Sequence, residues 1–225
     1  MTTFDAERIT ERLNLRQWIW WYMLEFPCQV WVTVAYRFRV WHARRVPRRG
    51  GVLLVSNHQS YLDPILIGVA GHRRPFYAMA RSSLFHNRFF AWLIGTLRAI
   101  PIEHGGTDLT AMRRCMEVLR RGAALLVFPE GARTVDGSVA AFASGTMVLI
   151  RRTRPTVVPV AIEGAYQAWP RGGRLRAFGR IGVAYGEPIE ADTLLALPAA
   201  DALGVLESRV EALRQEVREK MGRGQ

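Results

Sequence analysis

The chain is poor in cysteine and has almost no lysine. Cys28 and Cys115 are its only cysteines. They lie far apart in no metal-ligand spacing, so a disulfide framework and a cysteine-based zinc site are both poor organising principles for this fold. They read as buried thiols in a reducing compartment, with a disulfide between them as the lesser alternative. No carboxylates or histidines cluster at ligand spacing, so no metal is expected. Internal repeats and low-complexity linkers are also missing, which argues against solenoids and flexible multidomain arrays. Asp5, Glu7 and Glu11 precede the first apolar run, a pattern unlike a secretory leader, so the cytoplasmic side of the membrane is the expected location.

Lys220 is the only lysine, so arginine carries nearly all of the net charge of +12. That charge implies attraction to polyanions: nucleic acid, an anionic membrane surface or a phosphorylated substrate. No nucleic-acid recognition motif accompanies it, and nucleic acid is not an expected partner. With 225 residues, 49% hydrophobic and 22% charged, the chain can bury a sizeable core and is no disordered tail.

Residues 1–49 differ from the rest. Trp18 to Ala35 is apolar and aromatic but is interrupted by Glu25, Pro27 and Gln29. Trp18, Trp20, Trp21 and Trp31 favour the bilayer interface. Arg37, Arg39, Arg44, Arg45, Arg48 and Arg49 follow with no acid among them. The preferred expectation is a pair of helices broken or kinked at Pro27, lying in one leaflet with the arginines on anionic headgroups. A soluble helix covering the core and a membrane-spanning helix are the alternatives.

From residue 50 to 225 the pattern predicts a second region, an α/β fold with a mainly parallel sheet flanked by helices. Strands are expected near 52–56, 75–79, 98–102, 123–128, 156–162 and 178–185. Helices are expected near 64–71, 85–96, 107–121 and 144–152. Leu203, Leu206, Val210, Leu213 and Val217 form one stripe on a C-terminal helix that packs on the domain.

Ligands on parallel sheets collect at the carboxyl ends of the strands. His58 lies just past one such end, and Phe128-Pro129-Glu130-Gly131-Ala132-Arg133 follows another. A histidine can remove a proton from a hydroxyl near neutral pH when a carboxylate holds its tautomer. Asp63 is the nearest candidate. Asp before Pro64 is equally the signature of a helix cap, so residue spacing alone leaves both roles open. No Gly-x-Ser-x-Gly turn frames Ser56 or Ser60, so neither is read as a nucleophile.

Asn57-His58-Gln59-Ser60-Tyr61-Leu62-Asp63 resembles the His-x4-Asp motif of the glycerolipid acyltransferase superfamily, whose bacterial type is 1-acylglycerol-3-phosphate acyltransferase. The segment from Phe128 to Arg133 is similar to that family's Phe-Pro-Glu-Gly-Thr-Arg. Val158-Pro159-Val160 and Ala99-Ile100-Pro101-Ile102 resemble two further blocks, and all four come in family order. The resemblance implies acyl transfer from acyl-CoA or acyl-carrier protein to a lyso-glycerolipid hydroxyl, with membrane lipids as partners and no further cofactor. It implies His58 as base and Asp63 as its orienter. Asn57, Ser60, Glu130, Gly131 and Arg133 become substrate-side residues, with Arg133 toward the acceptor's phosphate. Two positions depart from the family: Glu103-His104 follows the Ile-Pro-Ile strand where an arginine is usual, and Ala143 stands where a lysine is common. An acceptor without a phosphate monoester is therefore a second expectation. Oligomeric state is not legible.

Overall fold

The computed structural model describes residues 9, 14–71, 74–82, 86–96, 98–102 and 108–222. Glu103 and His104, like Asp5, Glu7 and Glu11, lie outside the described residues.

Short runs of Val, Leu and Ala are too short for helices and apolar on both faces, and they form the centre of a sheet. The strands are β1 (Arg39–Trp41), β2 (Val52–Ser56), β3 (Phe76–Arg81), β4 (Ala99–Ile102), β5 (Ala124–Val127), β6 (Thr156–Glu163) and β7 (Gly182–Tyr185). They order as β1-β7-β6-β2-β5-β3-β4. Every neighbouring pair is parallel except β6 and β7. The helices are α1 (Leu15–Tyr36), α2 (Asp63–Ala70), α3 (Arg88–Thr96), α4 (Leu109–Arg120), α5 (Gly145–Thr153), α6 (Ala165–Ala168), α7 (Ala191–Leu195) and α8 (Ala199–Gly222).

Alternate residues of each central strand go to opposite faces, and each face has its own core. Leu53, Val55, Leu125 and Val127 meet Cys115 and Val118 of α4, Ile150 of α5 and Val210 of α8. Val52, Leu54, Leu126, Val158 and Val160 meet Val32 and Tyr36 of α1 and Leu66 and Ile67 of α2. The sheet is thus covered on both sides, as a parallel sheet requires. Leu206, Val210, Leu213 and Val217 are buried, so the stripe on α8 packs on the domain as its spacing implies. Cys28 and Cys115 are both free, and burial pushes the Cys115 thiol up to about 12.

Four local readings need correction. The expected helical pair is one helix: α1 runs from Leu15 to Tyr36 through Pro27. An internal proline costs about 3 kcal/mol. Packing of Trp21, Glu25, Val32 and Tyr36 on one side holds the helix together, and a capping box fixes its start, with Asn14 Oδ1 accepting from Gln17 N at 2.9 Å. No helix among the described residues is long and apolar enough to cross a membrane. Second, Arg39–Trp41, read only as part of the basic run expected on headgroups, is a strand paired with β7 along its whole length. Third, the last strand begins at Gly182, not 178, because Phe178 adopts φ +67°, a conformation that cannot join a ladder. Fourth, Asp63 opens α2 but does not cap it; the cap position is Leu62.

Candidate active site

The site is built where β2 and β5 end side by side. Val55 is paired with Val127, and the segments beyond the two strands, Asn57-His58 after Ser56 and Phe128-Pro129-Glu130 after Val127, leave the sheet side by side. The two sequence motifs therefore meet, and the His58 ring stacks on Phe128 with centroids 4.1 Å apart and planes 14° from parallel.

Asp63 faces back into the loop that precedes it. Its Oδ2 lies 2.7 Å from His58 Nδ1 and accepts from Gln59 N at 2.6 Å and Ser60 N at 2.8 Å. A carboxylate already taking two backbone N–H groups is an acceptor for the third contact, so Nδ1 carries the proton and Nε2 keeps a free lone pair. Asp63 is fully buried. Burial pushes its carboxyl above the ordinary range, opposed by His58 and the two N–H groups. Its Oδ1 has no partner among the described residues.

The backbone of His58 is fixed on both sides by the segment after β5. His58 N donates to Glu130 Oε1 at 2.8 Å, and its carbonyl accepts from Thr134 N at 2.8 Å. Glu130 Oε2 accepts from Ala140 N at 3.2 Å, so one carboxylate ties the His58 loop to the loop beyond residue 136. Burial raises the Glu130 carboxyl to about 7 against the pull of these two N–H groups. Gly131 adopts φ +71° with open space where a Cβ would stand, so the turn's backbone rather than crowding requires glycine.

Asn57 is buried, and its amide reads as a clip. Its Nδ2 donates to Ile162 O at 2.9 Å while its Oδ1 accepts from Ile162 N at 2.8 Å, extending the β2–β6 pairing by one side chain. Ser60 is buried too; its hydroxyl donates to Trp169 O at 2.9 Å and accepts from Leu62 N at 3.2 Å. Arg133 stands differently. Its guanidinium carbon lies 3.3 Å from the centroid of Tyr61, a cation–π contact, and Tyr61 in turn meets Trp169 at 4.9 Å. Arg133 Nη1 is buried with no hydrogen-bond partner among the described residues, a donor available to a ligand. Ala143 is exposed, with its N–H on Pro129 O at 3.0 Å.

Residue patterns gave no role to Gln59, Tyr61 or Trp169, and for Thr134 no more than a turn signal. The buried Gln59 side chain links Gly137 O to Tyr166 N, so it knits loops far apart in sequence. The only readable hint was the Thr134-Val135-Asp136-Gly137 run, a turn sequence in which Thr134 Oγ1 accepts from Gly137 N at 3.0 Å.

A partly exposed histidine on a buried carboxylate, clamped at the strand ends, with an arginine donor unpaired among the described residues, is suited to proton transfer on an anionic substrate. A sequence model described as Acyltransferase matches residues 37–163, more than half of the chain. The chain belongs to the Acyltransferase family. Named relatives agree. A chloroplast 1-acyl-sn-glycerol-3-phosphate acyltransferase of Arabidopsis thaliana is 30% identical over 146 residues, 62% of this chain and 40% of its own length. The chain thus spans well under half of that relative. A 1-acyl-sn-glycerol-3-phosphate acyltransferase of Bacillus subtilis is 23% identical over 181 residues, 80% of this chain and 86% of its own length. A crystal structure of the 1-acyl-sn-glycerophosphate acyltransferase PlsC from Thermotoga maritima superposes with a TM-score of 0.77 at 23% identity, covering 89% of this chain and 79% of that one. That likeness establishes the shared α/β acyltransferase fold.

Proposed function

We propose that this chain is an O-acyltransferase that moves a fatty acyl group from acyl-CoA or acyl-carrier protein to a hydroxyl of a lyso-glycerolipid, foremost 1-acylglycerol-3-phosphate. One observation carries the mechanism: His58 Nδ1 and Asp63 Oδ2 lie 2.7 Å apart, leaving Nε2 as the base. His58 takes the acceptor hydroxyl's proton as the oxygen attacks the thioester carbonyl. The tetrahedral intermediate collapses, the C–S bond breaks, and the imidazolium returns the proton to the leaving thiolate. No covalent enzyme intermediate is required. Asp63 holds the tautomer and stabilises the imidazolium. Arg133 Nη1 contacts the acceptor's phosphate, while Glu130 and Gly131 shape the acceptor side through the His58 loop.

The relatives, all 1-acylglycerol-3-phosphate acyltransferases by name, support this substrate class, and the outer face of α1 supports a membrane location. Leu15, Ile19, Tyr22, Met23, Phe26, Val30 and Val34 are all exposed along it, with a groove of about 500 Å³ between Leu15 and Pro27. In this reading residues 1–49 dock on the cytoplasmic leaflet and 50–225 carry the chemistry. Ala143, in place of a lysine, favours a second reading in which the acceptor is a lyso-lipid without a phosphate monoester.

The test is thiol release from a panel of acyl thioesters and lyso-lipids. General-base catalysis contributes about 10²–10⁴-fold, so His58→Ala is expected to lose at least that much. Transfer by His58→Ala at the parent's rate would sink the mechanism. Lipid binding with no thiol release would mean a binding protein instead.

A further inference from the structure

Beyond α1, a second surface has the chemistry of a lipid contact. The segment from Pro170 to Arg180 holds Arg171, Arg174, Arg176 and Arg180, and no Asp or Glu occurs from Gly164 to Gly186. Arg180 is occupied, its Nη1 donating to Met221 O at 2.7 Å. Arg171, Arg174 and Arg176 are exposed and have no ionic or hydrogen-bonded side-chain partner among the described residues. Among them stands Phe178, 88% exposed and the most exposed large apolar side chain of the described chain.

This exposure does not come from a loose backbone. Arg176 N donates to Ala168 O at 2.8 Å, Gly173 N to Pro170 O at 3.0 Å, and Trp169 Nε1 to Gly173 O at 3.2 Å. Two bonds fasten the loop to the end of α1: Tyr36 OH donates to Arg176 O at 2.9 Å and Gly179 N donates to Ala35 O at 3.2 Å. Phe178 keeps its outward position at φ +67°, which a bulky residue rarely adopts. The loop thus carries one exposed ring and three exposed guanidiniums and is hydrogen-bonded to Ala35, whose chain neighbour Val34 is 73% exposed on α1.

We propose that the 170–180 loop is a second membrane contact, with Phe178 inserting at headgroup depth and Arg171, Arg174 and Arg176 on anionic lipid phosphates. The proposal rests on the reading of α1 as the docking helix. The chemistry fits an anionic bilayer: an aromatic ring and unpaired cations in a segment that itself carries no acid. At its other end the loop begins at Trp169, which accepts from Ser60 and touches Tyr61, so one short segment joins the membrane surface to the catalytic loop.

The test is co-sedimentation of the full chain with vesicles of equal parts phosphatidylglycerol and phosphatidylcholine, against phosphatidylcholine alone. A basic residue near an anionic surface adds about fivefold to partitioning, so Arg171→Gln, Arg174→Gln and Arg176→Gln together should weaken binding roughly a hundredfold on the anionic vesicles only. Phe178→Asn, which tolerates the backbone, should weaken binding about tenfold. Unchanged thermal unfolding midpoints verify folding. Binding equal to the parent's in both variants overturns the proposal, as does an equal loss on neutral vesicles from the arginine changes. If Phe26→Gln with Val30→Gln in α1 abolishes binding while the loop variants bind normally, the loop proposal falls and the α1 reading stands. If the parent binds no vesicles, both fall.

Discussion

Two buried ionic clusters flank the end of β6, and they are built in opposite ways. Glu163, the last residue of β6, accepts from Arg214 Nη1 at 2.8 Å and from Arg218 at 2.9 Å, while Arg214 also pairs with Glu211 at 2.8 Å. Both Glu163 oxygens are used, and the carboxylates of Glu211 and Glu163 raise the Arg214 guanidinium still further above its ordinary range. One strand away, the His58 cluster leaves Asp63 Oδ1 and Arg133 Nη1 without partners among the described residues. The first network spends both Glu163 oxygens on fastening α8 to the sheet. The unsaturated one holds its histidine rigidly yet keeps donor and acceptor capacity in reserve. Unmet hydrogen bonds on a buried carboxylate and on an arginine, not the number of charges, separate the His58 cluster from the α8 network.

The contrast can be broken at either end. Asp63→Asn leaves the shape intact but misplaces the His58 proton, so kcat for thiol release should fall about 10⁴-fold, as tautomer loss does in histidine-based triads. Arg214→Met strikes the other cluster: breaking a buried pair costs about 3 kcal/mol, which lowers the calorimetric midpoint by about 6–12 °C while kcat stays near the parent's. Should Arg214→Met instead abolish turnover in folded protein, the division between scaffold and site collapses. Tyr61→Leu removes the face that positions Arg133. A cation–π contact at such a site is worth about 1 kcal/mol, so KM for a phosphate-bearing acceptor should rise about fivefold at constant kcat, with Tyr61→Phe restoring it. The smallest effect concerns pH. With its carboxyl raised to about 7, Glu130 is ionised above that pH, where it accepts from both N–H groups, and gains a proton below it. The rate should decline as pH falls through about 7, and Glu130→Gln should flatten that part of the profile.

Local signals carried most of the fold. The runs at 52–56, 123–128 and 156–162 became strands within about one residue because the Val- and Leu-rich segments are bounded by turns. The dyad was legible because its partners lie five residues apart and one motif holds both. Pro27 misled because a local rule about proline was overridden by the packing of α1 on α2 and the sheet. The three residues of β1 were hidden inside an arginine run whose apolar content is too thin for a strand signal. Asn57 and Ser60 were grouped with the substrate, and nothing in the sequence pointed to their partners Ile162 and Trp169, more than a hundred residues away. No periodicity encodes such a pairing.

The Asn57 clip also has a consequence in time. Because the Asn57 side chain takes up both polar groups of the Ile162 backbone, the catalytic loop is stitched into the centre of the sheet. It cannot open by the fraying that frees most loops. The Ile162 amide hydrogen should therefore exchange with solvent deuterium as slowly as those of the innermost strands, reporting global unfolding. The His58 ring, 21% exposed, is thereby held still at the surface, where part of it stays open to solvent.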